Sequence, residues 1–266
     1  MTDLPLLMAA LTWVLAFAAG IIGIWIGERL PEEHRTDQSR AAVAKSMGMV
    51  GTLTAIALGL LISVANTSFR DKQEQLMSSA SNLIRMDHLL RMYGPDADSA
   101  RAVFREYATS MMNDVLPSED DRSDIENEAA LDIATKAEHS VVFLEPADDI
   151  QRWLHPHMLE VVNKLFEAHF ELVKQRLDAI PDSLMLLLLL WLVLLFGSYG
   201  LYSPRHLTSM IFLFLSSVAA SGAVLLIIEL ETPHRGFVHL SPDPLQHAVD
   251  VMTHYAGVTG AKEWQD

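Results

Sequence analysis

The side chains whose type and spacing suggest a function lie mainly in one apolar stretch, residues 46–66. At 100° per residue, its small and polar residues fall within an arc of about 80° on a helix. These residues are Gly48, Thr52, Ala55, Gly59, Ser63 and Asn66. The opposite arc carries bulky aliphatic residues, namely Val50, Leu53, Ile56, Leu60, Leu61 and Val64. A helix surrounded by lipid does not need this division, so we expect the small face to meet protein or water.

Two interpretations of this small face stay open. In the first, an oligomer turns Thr52, Ser63 and Asn66 toward a water-filled path, where hydroxyl and amide groups permit ions to pass without selecting a particular ion. In the second, the small residues let two helices approach closely and the face is dry. The sequence alone does not choose between a pore lining and a packing surface.

Two carboxylates, Glu229 and Glu231, stand at the end of another apolar stretch, with Arg235 shortly after them. Charged residues at such an end commonly anchor the helix or form helix-terminal ion pairs. In a symmetric oligomer they would also form a ring of negative charge at a pore mouth. We keep both interpretations for this pair.

No catalytic residue, bound cofactor or metal site is predicted, and we do not expect an enzyme. His155 and His157 form the one close histidine pair, but Pro156 between them predicts a loop or a helix start. The acidic run at 119–121 lacks the spacing of a calcium loop and is typical of a solvated helix start. The chain has no cysteine, and its net charge of −15 disfavours nucleic acid as a partner.

The elements that carry these residues are predicted to be helices of an all-α membrane protein. Four apolar stretches are long enough to cross a bilayer, at about 4–27, 46–66, 184–201 and 207–230. Residues 1–66 and 183–231 therefore each form a transmembrane hairpin, and residues 232–266 form a polar tail. The lipid bilayer is the partner that these spans imply.

The segment 67–182, between spans 2 and 3, is too polar to remain in lipid and predicts a large helical bundle domain. Leu76, Leu83 and Leu90 recur every seven residues, so the helix of span 2 should continue to residue 93, before Gly94 and Pro95. Two further helices follow, and apolar residues at helical spacing predict a fourth over 159–180. The first and last helices of this domain should be continuous, or nearly so, with spans 2 and 3.

Three stretches carry a resemblance to a known family: GTLTAIALGLLISVANTSFRDK at 51–72, VNKLFEAHFELVKQRLDAIPDSL at 162–184 and ELETPHRGF at 229–237. With the order of the spans, they resemble the bestrophin-like domain family of bacterial membrane proteins. The resemblance implies a four-span subunit with a helical domain between spans 2 and 3. Bestrophins themselves are pentameric anion channels with an aromatic constriction, whereas residues 46–66 contain no aromatic residue.

The leading hypothesis is a multi-pass protein of the bacterial inner membrane that assembles as a homo-oligomer and resembles an ion channel. Span 2 would line its path. The alternative is a membrane-anchored sensor or scaffold, whose helical domain binds a partner or ligand while the spans only anchor it. Oligomeric state and water access to the small face are the observations that distinguish the two.

Overall fold

The computed structural model describes residues 4–31, 33, 36–115, 123–177, 181–231 and 239–254, and every element in these ranges is helical. The helices are α1 (Leu4–Arg29), α2 (Asp37–Tyr93), α3 (Asp98–Val115), α4 (Ser123–Val142), α5 (Asp149–Leu177), α6 (Asp182–Tyr202), α7 (Leu207–Glu231) and α8 (Asp243–His254). A single 3-10 turn, Pro95–Ala97, follows α2. The predicted all-α class is thus confirmed for the described part of the chain.

Four of these helices, α1, α2, α6 and α7, have the length and apolar composition needed to cross a membrane, and they carry the four apolar stretches seen in the sequence. The second span belongs to a single 57-residue helix that continues without a break to Tyr93, as its leucine spacing predicted. It ends at Gly94, whose φ of 103° is a conformation that residues with a Cβ rarely adopt, and Pro95 follows.

The chain forms two compact units. Unit 1 comprises Met1–Phe69 and Asp178–His239, and unit 2 comprises Arg70–Leu177 and Leu240–Asp266. Helix α2 contributes its first part to unit 1 and its last part to unit 2.

Close backbone approach between α1 and α6 is the main packing feature of unit 1. A Cβ added at Gly23 would collide with the carbonyl oxygen of Gly197 and would lie 2.9 Å from the nitrogen of Leu201. A Cβ added at Gly27 or at Gly200 would likewise collide with backbone atoms of the facing helix. Only glycine permits this contact, which is the small-residue packing typical of membrane helices.

Helices α7 and α2 complete unit 1. The buried Ser221 hydroxyl of α7 donates a 2.6 Å hydrogen bond to the carbonyl of Ala9 in α1. The buried Ala65 of α2 packs with Ile227 and Leu230 near the end of α7. These contacts join all four apolar helices into one packed unit.

In unit 2, the last part of α2 buries a leucine-rich face, and α5 runs antiparallel to it. Gln75 donates to the carbonyl of Ala168 over 3.2 Å, and Gln151 donates to the carbonyl of Tyr93 over 3.0 Å. The largest side chains that are fully buried in this unit are Phe104, Leu76, Leu83, Met86, Leu90, Leu154, Met158, Leu165, Leu245, Met252 and Val141.

Among the described residues of unit 2, a buried ion pair lies within the largely apolar core. Asp87 of α2 is fully buried, and its carboxylate accepts a 3.2 Å hydrogen bond from Nε of Arg101 in α3, which is 3% exposed. Arg91, with a side chain that is 25% exposed, lies 3.0 Å from the other carboxylate oxygen. The pair fixes α2 relative to α3 inside the core.

One expectation about the helices needs correction. Helix α5 begins at Asp149, ten residues before the predicted start at 159, and Pro156 lies inside it, so the predicted loop or helix start there is wrong. Leu154 and Met158 on either side of the proline are fully buried, and their burial outweighs the local cost of the missing N–H. The short helix that residues 244–255 of the polar tail predicted is present as α8, which packs against α3.

Candidate functional site

All six residues of the predicted small face are exposed within the subunit. A Cβ added at Gly48 or Gly59 would find no atom within 4 Å. The face therefore does not pack against the fourth span or any other described helix of the same chain. We call these residues, Gly48, Thr52, Ala55, Gly59, Ser63 and Asn66, the small-residue stripe.

A second exposed surface on α2, which we call the aliphatic stripe, consists of large apolar side chains that are 45–69% exposed: Met49, Leu53, Ile56, Leu60 and Val64. The third face packs onto unit 1 through buried side chains such as Thr54, at 3% exposure, and Ala65, at 0%. On a helical wheel with Gly48 at 0°, the small-residue stripe, the aliphatic stripe and the packed face centre near 20°, 120° and 250°. Span 2 thus has three faces.

The sequence pattern showed two faces where the structure has three. It grouped Val50 and Leu61 with the aliphatic residues, but both are partly buried and belong to the packed face. Burial separates residues that hydrophobicity alone cannot distinguish, because a side chain facing lipid and one facing a helix are equally apolar.

The hydroxyl groups of the small-residue stripe are partly satisfied within α2 itself. The Thr52 hydroxyl donates a 2.9 Å hydrogen bond to the carbonyl of Gly48. Because its proton is used in the helix, the Thr52 oxygen presents lone pairs to the surroundings. The stripe therefore offers small, uncharged acceptor groups, which suit water or a hydrated ion.

Two exposed cations lie at the ends of the small-residue stripe, Lys45 before it and Arg70 after it. At 100° per residue they fall at about 60° and 40°, within the arc of the stripe. They are 25 residues apart on one helix, or about 37 Å. The helical spacing of Lys45 and Arg70 in the sequence is the signal that predicts this placement.

The two carboxylates proposed for a pore mouth occupy different environments. Glu229 is 4% exposed within the subunit, whereas Glu231 is partly exposed, and each takes part in an interaction within the structure. Burial of Glu229 at the end of α7 fits the helix-end anchor better than a free ring of charge.

The histidine pair is not arranged as a metal site. Nε2 of His155 lies 3.0 Å from the carbonyl of Val141, and Nδ1 of His157 lies 2.8 Å from the carbonyl of Trp153, so each ring has its own partner. The described residues contain no group of three or more His, Asp or Glu side chains that could hold a metal ion. The acidic run at 119–121 and Arg235 lie outside the described residues.

Comparison with known proteins decides the family. The profile of the bestrophin-like domain matches residues 14–245, which is most of the chain. The chain belongs to this family. No significant relative was found among curated proteins.

Solved structures related to this bestrophin-like chain share its fold. A bacterial bestrophin homologue from Klebsiella pneumoniae superposes with a TM-score of 0.69 at 16% identity, covering 93% of this chain and 98% of that chain. A crystal structure described only as a membrane protein gives a TM-score of 0.71 at 15% identity, with the same coverage. At these identities the comparison establishes a common architecture, and function must be argued from the surfaces of α2.

Proposed function

We propose that this bestrophin-like protein is a homo-oligomeric, channel-like protein whose conducting path is lined by α2. The observation that carries the proposal is the exposure of α2 in the single subunit. In an 18-residue apolar stretch of α2, only 6% of the residues are buried within the subunit, whereas 28–33% are buried in the corresponding stretches of the other three spans. A helix that carries polar side chains yet packs so little in its own subunit requires a partner outside it.

The three faces of α2 suit a ring of subunits. One face holds the helix to its own subunit, which leaves two exposed stripes about 100° apart. In a ring, each subunit presents one surface to the central axis and different surfaces to its neighbours. We assign the small-residue stripe to the axis, because its acceptor oxygens gain more from water than from lipid, and the aliphatic stripe to a neighbour or lipid.

The opposite assignment is the main rival within this proposal. If the aliphatic stripe faced the axis, Leu53 and Leu60 would form a hydrophobic constriction that gates by loss of water. The small-residue stripe would then pack closely against a neighbouring subunit.

The native chain contains no cysteine, so single-cysteine variants can test the assignment without background reactivity. We expect Thr52→Cys and Ser63→Cys to conduct in planar bilayers and to lose current when a charged methanethiosulfonate reagent is added. Leu60→Cys should keep its current under the same reagent. Leu226→Cys, at a site on α7 that is 42% exposed, is the matched control for reaction away from the path.

Each outcome of this experiment decides a point. Block at Leu60 but not at Thr52 reverses the assignment of the stripes and keeps the channel. Absence of current under every ionic condition, with the protein inserted and folded, rejects the channel.

The second candidate function is a membrane-anchored sensor or scaffold. It is favoured by unit 2, which is a compact helical unit with a buried core of its own and offers a domain for binding a partner or ligand. A monomer or dimer in mild detergent, with an unreactive cysteine at Thr52, would support this candidate. A larger ring would support the channel. We also propose a bacterial inner membrane as its location, which is supported by the four apolar helices and by the bacterial origin of a structural homologue.

A further inference from the structure

A group of charged and aromatic side chains gathers where α1 ends, and the proposed path does not involve it. We call Trp25, Glu28, Arg29 and Arg205 the α1-end cluster. The guanidinium carbon of Arg29 lies 3.2 Å from the centre of the Trp25 ring system. Arg205, from the connection between α6 and α7, places Nη1 3.0 Å and 3.2 Å from the two carboxylate oxygens of Glu28.

This cluster is exposed at the end of an apolar helix. Trp25 is 53% exposed, and the paired side chains of Arg205 and Glu28 are 62% and 40% exposed. Arg29 is also exposed and is the last residue of α1. Tryptophan and arginine at the end of a membrane span lie at the depth of the lipid headgroups.

The geometry leaves one cation available. Glu28 balances the charge of Arg205, so the cluster keeps a net charge of about +1 on Arg29. Cation–π attraction to the indole face holds the guanidinium in place, and its N–H groups remain donors for an anion. A planar fork of donors held at headgroup depth matches the two free oxygens of a phosphodiester.

We propose that Arg29, positioned by Trp25, binds the phosphate of a membrane lipid headgroup. The shared chemistry of the ligand is a phosphate anion, and the apolar surface of α1 beside it assigns this phosphate to a lipid. The site is independent of ion conduction, because none of its residues belongs to α2.

Native mass spectrometry of the full-length protein in detergent tests the proposal, with short-chain phosphatidylglycerol as the probe and diacylglycerol of the same chain length for comparison. We expect phosphatidylglycerol to bind and diacylglycerol to bind far less. Arg29→Gln should lower the affinity for phosphatidylglycerol about fivefold, which is the factor given by the attraction of one basic residue to an anionic headgroup. Trp25→Leu should also weaken it, because the stacked guanidinium loses its support.

Arg40→Gln is the matched control, since Arg40 is an exposed arginine of α2 outside the cluster. An equal loss of affinity in Arg40→Gln overturns the proposal in favour of general attraction by surface charge. Unchanged affinity in Arg29→Gln overturns it as well. If excess sodium phosphate displaces the lipid and binds alone, the site is one for free anions and the assignment to lipid is wrong. Far-ultraviolet circular dichroism confirms that each variant remains helical.

Discussion

Removing Arg101 should destabilise unit 2 more than removing any exposed charged side chain described there. In Arg101→Leu, the carboxylate of Asp87 stays fully buried without the guanidinium that lies 3.2 Å away. Breaking a buried pair on one side costs about 3–5 kcal/mol, because the remaining charge is left uncompensated. Arg91 still lies 3.0 Å from the second carboxylate oxygen and is one quarter exposed, so it offsets part of this loss. We therefore expect about 3 kcal/mol, the lower end of that range.

Comparison variants separate burial from simple loss of charge. Asp98 lies 3.6 Å from Arg101, but its side chain is 61% exposed. Asp98→Asn should cost less than about 1 kcal/mol, as exposed pairs do. In the double variant Asp87→Leu with Arg101→Leu, both charges are absent, so most of the stability should return.

Hydrogen–deuterium exchange of the full-length protein in detergent measures these changes at the amides of α2 and α3. A loss of about 3 kcal/mol in opening free energy raises their exchange rate roughly 100-fold. The reasoning fails if Arg101→Leu changes exchange less than tenfold, or if the double variant exchanges as fast as the single one. Either result would show that the pair is not the electrostatic tie between α2 and α3.

Three further predictions concern packing and pH. Gly23→Ala should lower the thermal midpoint by overpacking the backbone of Gly197, at a cost of about 1–3 kcal/mol, whereas Gly48→Ala, in open space, should not. Burial, together with two neighbouring carboxylates, raises the pKa of Tyr93, so the unfolded state loses this proton first as pH rises above about 10. Unfolding free energy should then fall with pH from there to the folded pKa, and Tyr93→Phe should flatten that slope in urea titrations. Gln151→Leu loses hydrogen bonds with the backbone of Ala147 and Tyr93. It should lower the free energy of unfolding by about 1–3 kcal/mol in the same titrations.

Spacing and composition sufficed to predict the long elements of this fold. The apolar stretches gave the four spans, and the leucines at 76, 83 and 90 gave the continuous α2, because both signals persist over many turns. The start of α5 was misplaced because proline is a strong local signal, while the burial of Leu154 and Met158 depends on helices distant in sequence. Tertiary packing decided that boundary.

The position of the small-residue stripe could be predicted from the sequence, but the surface that it meets could not. The small-residue stripe follows from periodicity alone, but its partner cannot be read from one chain, since apolar residues suit lipid and protein equally. The serines of α7 illustrate this point. The hydroxyl of the buried Ser221, for example, donates a hydrogen bond to Ala9 of α1.

The symmetry of the assembly connects the two exposed stripes to the two candidate functions. In a twofold dimer, the same surface of each copy meets its counterpart, so the small-residue stripes can pair face to face and close completely. That arrangement leaves no path and fits a scaffold. A ring of three or more copies joins different surfaces of neighbouring subunits, so one stripe of α2 stays open along the axis.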